Sequence, residues 1–187
     1  MSSKILKGIE REKERKKLFA NCRNVNEFEK IGALGEGTYG TVYSARDQKT
    51  GEIVAVKKLK IHEPDFGFPV TSLREINILN HLKKLTCHPN IVKLREVVVG
   101  AKMESIFLVF EYCEMDLGHL SDVMSLQQET FTECEIKCII FQTLNSVHHL
   151  HKNSIIHRDL KLSNLLINQH GIIKLADFGL SRTKGKP

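Results

Sequence analysis

His157-Arg158-Asp159-Leu160-Lys161-Leu162-Ser163-Asn164 sets a carboxylate, an ammonium and an amide within one short loop, and thirteen residues after Asn164 comes Asp177-Phe178-Gly179. Two short apolar runs between them, Leu165–Ile167 and Ile172–Leu175, read as strands. Upstream, the chain turns helical from Asp116 onward. Thr132-Glu133-Cys134-Glu135 has the spacing of a capping box, in which Thr and Glu side chains reciprocally satisfy free backbone N–H groups at a helix start. Behind it, Ile136, Ile139, Ile140, Leu144, Val147 and Leu150 form one apolar stripe.

Further back the pattern changes from helix to strand. Phe28–Glu36, Thr41–Asp47 and Glu52–Leu59 are rich in Val, Ile, Tyr and Phe and are broken at glycines and at Asp47-Gln48-Lys49-Thr50-Gly51, as in antiparallel hairpins. Leu73–Leu85 then takes helical spacing through Leu73, Ile76, Leu79, Leu82 and Leu85, and Ile91–Val98 and Ser105–Tyr112 read as two more strands. The expected fold class is therefore α+β.

Gly35-Glu36-Gly37-Thr38-Tyr39-Gly40-Thr41-Val42 is a G-x-G-x-x-G-x-V run. A dinucleotide site would need a helix straight after it, and a P-loop would end in Gly-Lys-Ser/Thr. Neither follows, so these glycines turn a hairpin, which by itself is also what an ordinary β-turn does. Val54-Ala55-Val56-Lys57 comes one hairpin later, where a lysine in an apolar strand can bring charge to phosphates under the flap. Glu75, on the expected helix, is available to pair with it. Phosphoryl transfer asks a protein for oxygen ligands to Mg²⁺, positive charge at the γ-phosphate, and one carboxylate to receive a hydroxyl proton. Asn164 and Asp177 supply the oxygens, Lys57 and Lys161 the charge, and Asp159 the base.

Composition narrows the setting. Hydrophobic residues make up 41% of 187, ordinary for a soluble globular chain, and no apolar run reaches bilayer-spanning length. The net charge of +6 is concentrated in residues 1–23, which carry +5. Such a leader reads either as a solvated, partly helical tail or as an electrostatic docking arm or nuclear address. The body is near neutral, so neither nucleic acid nor membrane is an expected partner. Five cysteines (Cys22, Cys87, Cys113, Cys134, Cys138) contain no C-x-x-C pair, which favours a reducing nuclear or cytoplasmic compartment. His148 and His151 stand three apart near a helix end, but no cysteine or carboxylate completes a metal set.

Taken in this order, the motifs resemble those of eukaryotic protein kinases, and Lys161 resembles the serine/threonine branch. Gly37-Thr38-Tyr39-Gly40 and Pro69-Val70-Thr71-Ser72-Leu73-Arg74-Glu75 are similar to the cyclin-dependent kinases, nearest to the PISSLRE-type branch. The resemblance implies a bilobal fold: a leader over 1–27, a β-rich small lobe with one helix over about 28–113, a hinge near 111–114, and a mainly helical large lobe over about 114–187. It implies ATP and Mg²⁺ as cofactors, with Leu34, Gly35, Glu36, Gly37, Thr38, Tyr39, Gly40, Thr41, Val42, Ala55 and Lys57 on the nucleotide. Phe110 would be the back wall, and Glu111 and Cys113 would offer backbone bonds. Asp159, Lys161, Lys57 and Glu75 are the implied catalytic residues, and Asn164 and Asp177 the metal ligands. Thr38 and Tyr39 would be inhibitory phosphorylation sites, adding about −1.5 to −2 charges each where phosphates must lie. Arg158 would pair with a phosphorylated residue. Pro69, Val70, Thr71, Ser72, Leu73, Arg74 and Ile76 would contact a cyclin, and the substrate would be protein serine or threonine.

The sequence departs from the family pattern in two places. Glu75 and His88 are farther apart than is usual, an excess expected to lengthen the helix by about one turn, near 5.4 Å. The sequence also ends five residues after Arg182, before any Ala-Pro-Glu motif, so the large lobe is expected to be incomplete. Three readings are open: a cyclin-dependent catalytic subunit, a truncated module that binds nucleotide or cyclin without turnover, or an incomplete gene model of a full kinase.

Overall fold

β-Branched and aromatic residues alternating with polar ones form strands where the sequence places them, in a computed structural model that describes residues 22–37, 40–59, 70–84, 87–100 and 105–185. Strands β1 (Phe28–Gly37), β2 (Gly40–Asp47) and β3 (Ile53–Leu59) pair antiparallel, with Gly37 opposite Gly40 and Val42 opposite Lys57. The turn between β2 and β3 closes by a 2.7 Å bond from the Gly51 N–H to the Asp47 carbonyl. Gly51 has φ 75°, a left-handed conformation in which a side chain would be strained. With β4 (Leu94–Val99) and β5 (Ile106–Glu111) the sheet runs β1-β2-β3-β5-β4. Phe28, Ala45, Val54, Val56, Val98, Phe107 and Val109 bury its core.

The described residues within 1–60 and 95–109 form one compact unit, and those within 61–94 and 110–187 a second. Helix α1 (Val70–Lys84) starts three residues earlier than expected, and the Leu85 end of the expected helix lies outside the described residues. Over positions 74–84 its buried residues are Glu75, Ile78, Leu79 and Leu82. Of the expected stripe, Leu79 and Leu82 are buried and Ile76 is half-buried. The helix falls within the second unit, where Leu79 and Leu82 share a cavity wall with Ile91, Val92 and Leu94.

In the second unit, β6 (Met115–Asp116) leads into α2 (Leu117–Leu126), capped where the Asp116 carboxylate accepts from the His119 N–H at 2.9 Å. Helix α3 (Glu133–Lys152) starts on the expected capping box of Thr132 and Glu135. Short strands β7 (Ile155–Ile156), β8 (Leu165–Ile167), β9 (Ile173–Leu175) and β10 (Arg182–Thr183) follow, pairing as β6-β8-β9 and β7-β10. A 3₁₀ turn, Leu162–Asn164, precedes β8. The Asn90 side chain fastens the segment before β4 by bonds to Gln142 Oε1 (2.8 Å) and the Ile173 carbonyl (3.0 Å).

The α3 stripe is unevenly covered. Leu150 is buried and Ile139 and Val147 are half-buried, while Ile136, Ile140, Phe141 and Leu144 lie 44–66% exposed. Among the described residues no helix is long and apolar enough to cross a membrane.

Arg23, counted in the sequence reading within a leader that was either a solvated tail or a docking arm, is held by the first unit. Its guanidinium bonds Asp47 at 2.7 and 2.9 Å, Glu27 at 2.9 Å and Glu96 at 2.9 Å, and lies 4.5 Å from the centre of the Phe28 ring. Asn24 and Glu27 cap the 3₁₀ turn Val25–Glu27, and Asn24 forms a parallel bridge to Val99. Residues 23–27 are therefore folded onto the first unit. The acids that recruit Arg23 lie up to 73 positions away, beyond the reach of any local pattern.

Candidate active site

The loop from His157 to Asn164 is held from both sides. His157 is 2% exposed; its Nε2–H donates to the Ala176 carbonyl at 2.9 Å, and its Nδ1 accepts from the Asp159 N–H at 3.3 Å. Both ring nitrogens are thus used by the neutral imidazole, and burial pushes its pKa down. The Phe178 ring, fully buried, meets the imidazole edge-on with centroids 5.1 Å apart. Ser181 Oγ donates to the His157 carbonyl at 3.2 Å. One buried histidine therefore ties the 157–164 loop to the segment around Phe178. The sequence reading quoted both motifs without assigning His157 or Ser181 a role.

Within that frame Asp159 is positioned by its own loop. Lys161 Nζ lies 2.9 Å from Asp159 Oδ2, and Asn164 Nδ2 donates to the same oxygen at 3.0 Å and to the Asp159 carbonyl at 2.7 Å. The Lys161 ammonium, more than the Asn164 amide, holds the Asp159 carboxyl below its ordinary range, so it is ionised at neutral pH. A 2.9 Å bond from the Ala176 N–H to the Asn164 carbonyl sets the start of β8 beside the end of β9. The chain then passes into Asp177 with φ 60°. Arg158 also has φ 69°, and its Nε donates to the Leu180 carbonyl at 2.7 Å. Left-handed backbone at two non-glycine residues costs on the order of 1–2 kcal/mol each, and such strain concentrates at functional sites.

Asn164 and Asp177 fit a hard divalent cation by the chemistry of their donors. The Asn164 amide spends its N–H groups on Asp159, which leaves its carbonyl oxygen as the remaining donor atom. Asp177 adds a carboxylate, and oxygen ligands of these two kinds suit Mg²⁺.

The other named residues divide between the units. In the first, Lys57 is 8% exposed on β3, Val42 and Ala55 are half-buried, and Leu34, Gly35 and Lys58 are exposed. Thr41 lies opposite Lys58 and Glu36 opposite Thr41. Thr38 and Tyr39, the expected phosphorylation sites, lie outside the described residues, as does Pro69 of the expected cyclin contact. In the second unit Glu75 is 2% exposed, and a carboxylate so buried needs a partner to stay charged. Glu111 takes a bond from the Lys93 N–H at 2.8 Å and an ion pair from Lys174 at 3.0 Å. Phe110 and Cys113 are buried, and burial pushes the Cys113 thiol up to about 12. Of the expected cyclin-contacting residues, Val70, Thr71, Ser72, Leu73, Arg74 and Ile76 all fall on α1.

The chain belongs to the protein kinase domain family, whose sequence profile matches residues 28–187. Among curated proteins its relatives are cyclin-dependent kinases and similar serine/threonine kinases. It is 54% identical over 166 residues to human cyclin-dependent kinase 10, covering 89% of this chain and 44% of that protein. It is 51% identical over 170 residues to cyclin-dependent kinase G-2 of Oryza sativa subsp. indica, covering 91% and 23%. To the serine/threonine-protein kinase PITSLRE of Drosophila melanogaster it is 52% identical over 166 residues, covering 89% and 17%. The chain thus spans less than half the length of these relatives. A protein kinase domain in general implies ATP and a divalent metal.

Proposed function

We propose that the chain is the nucleotide-binding and catalytic-loop part of a cyclin-dependent kinase-like enzyme that transfers the γ-phosphate of Mg·ATP to protein serine or threonine. The observation that carries this reading is the Asp159 carboxylate, ionised and fixed by Lys161 and Asn164 on a loop tied through His157 to the Asp177 segment. Asp159 accepts the hydrogen bond of the attacking hydroxyl and aims it. A carboxylate of low pKa is a weak base, and this suffices where the transition state is loose and the proton leaves late. Lys161 neutralises charge on the transferred group, and Lys57 anchors the phosphates under the glycine flap. Asn164 and Asp177 would hold Mg²⁺, which supplies charge neutralisation between the phosphates when bound. Backbone groups of Glu111 and Cys113, with Leu34, Val42 and Ala55, would receive the adenine.

The test is phosphate transfer from ATP to a Ser-Pro peptide by residues 1–187 purified with a cyclin. Asp159→Asn is expected to slow transfer about 10²–10⁴-fold. Transfer equal in parent and variant would sink the assignment. Cyclin association through α1 is part of the same proposal: Leu73→Asp should abolish capture by a cyclin panel that retains the parent. A nuclear or cytoplasmic location accords with five unpaired cysteines. A second reading, binding of nucleotide or cyclin without turnover by these 187 residues alone, is favoured by the wet half of α3, because an apolar patch of that kind invites association.

A further inference from the structure

Two thiols stand one turn apart on the outside of α3, at Cys134 and Cys138, and both are exposed. Side chains four apart on a helix lie one above the other, with about 5–6 Å between their Cβ atoms. A disulfide needs about 3.5–4.5 Å between those atoms, so this pair cannot close on itself without unwinding the helix. One bridging ion has the opposite requirement. Metal–sulfur bonds of about 2.3 Å let two thiolates sit up to about 4.6 Å apart across it, a span that matches the helical spacing.

The turns that carry the pair are fixed. The capping box of Thr132 and Glu135 starts the helix, and Glu133 and Lys137 pair within the same turns at 2.7 Å. Gln142 Nε2 donates to Cys138 Sγ at 3.5 Å and to the Gly171 carbonyl at 3.2 Å, so the second thiol is tied through an amide to the turn between β8 and β9. An amide donor complements the thiolate, the form of cysteine that binds a metal. Among the described residues no group of three or more His, Cys, Asp or Glu is placed to hold a metal ion, so an ion on this pair has two protein ligands. Structural Zn²⁺ takes four ligands and Ca²⁺ or Mg²⁺ takes six or more, mostly oxygen, whereas soft thiolates select Cu(I).

We propose that Cys134 and Cys138 form a two-coordinate site for a soft monovalent cation of the Cu(I) class. Binding makes two Cu–S bonds and releases both thiol protons to solvent, and copper stays monovalent throughout. Neither cysteine is among the residues assigned to nucleotide, Mg²⁺ or phosphate transfer, and the site does not rest on the kinase reading.

The probe is Cu(I) itself, supplied without oxygen to the full, reduced chain from a coloured chelator, so that absorbance reads how much the protein removes. Affinities are normalised to folded protein measured by circular dichroism. The parent is expected to take one equivalent. Cys134→Ser and Cys138→Ser, both exposed changes, should each weaken binding about 10²-fold or more, because losing either thiolate removes the chelate. Cys87→Ser removes the remaining exposed thiol and should leave binding unchanged. Cys138→Ser combined with Ile136→Cys keeps two thiols but sets them on different sides of the helix, and it should bind as weakly as the single variants. Equal affinity in the parent and Cys138→Ser would overturn the proposal, as would an equal loss in Cys87→Ser. Parent-like binding by the moved pair would overturn it too, because the thiols would then collect copper without the helix.

Discussion

Two carboxylates, one in each unit, are held by a cation from the same domain, and they differ in how much capacity remains. Asp47 accepts through Oδ1 from Arg23 at 2.7 Å and from the Lys49 N–H at 2.9 Å, and through Oδ2 from Arg23 at 2.9 Å. The Arg23 hydrogen bonds bring its pKa down to about 2. Asp159 takes its contacts from Lys161 and Asn164 on Oδ2, and its side chain is 21% exposed. A buried carboxylate engaged at both oxygens locks a turn. One held through a single oxygen is aimed and still able to accept a proton. The same residue type, with a cation beside it in both cases, is thus a brace in the first unit and, in the function proposed above, a reactive group in the second.

The largest stability effect expected of this contrast falls on the brace. Arg23→Met leaves Asp47, Glu27 and Glu96 without their shared guanidinium, and a buried acid stripped of its partner costs about 3 kcal/mol. Urea denaturation should show that loss with no change in slope. The acid dependence sharpens the point. Folding depresses the Asp47 pKa from its ordinary 3.8 to about 2. Its contribution is therefore present above 3.8 and is lost as pH falls through 2. In the Arg23→Met variant stability should fall less steeply over that window. Thr132→Ala removes one side of the α3 capping box and should cost about 1 kcal/mol in the same measurement. Phe141→Lys, on the wet face of α3, should change stability by less than about 0.5 kcal/mol while raising the concentration at which the chain stays monodisperse in light scattering.

The capping box and the strands β1, β2, β3 and β5 were legible in the sequence because their causes are local: side-chain alternation, turn residues and one four-residue motif. β4 was less so. The apolar run from Ile91 suggests a strand to Val98, but Ile91 bridges Leu175 and the Val92 N–H donates to the Leu175 carbonyl, so the ladder with β5 begins only at Leu94. The long-range partner wins over propensity there. The 157–164 loop was readable as a set of residue types, and Asp159, Lys161 and Asn164 do meet. What holds them was not readable: His157 joins Ala176 across nineteen positions and Ser181 joins His157 across twenty-four. Arg23 was hidden for the same reason, and its basic neighbours made it look like part of a tail.

The most direct test of the contrast sets Asp47→Asn beside Asp159→Asn in one experiment that reads both thermal melting and phosphate transfer from ATP to a Ser-Pro peptide, each normalised to folded protein. Asp47→Asn should lower the melting temperature by several degrees, as expected for a loss of 1–3 kcal/mol or so, and leave transfer per folded molecule near that of the parent. Asp159→Asn should melt close to the parent and lose transfer about a hundredfold or more. If Asp159→Asn instead melts early while its folded fraction transfers phosphate normally, Asp159 is a brace like Asp47 and the account of this site is contradicted.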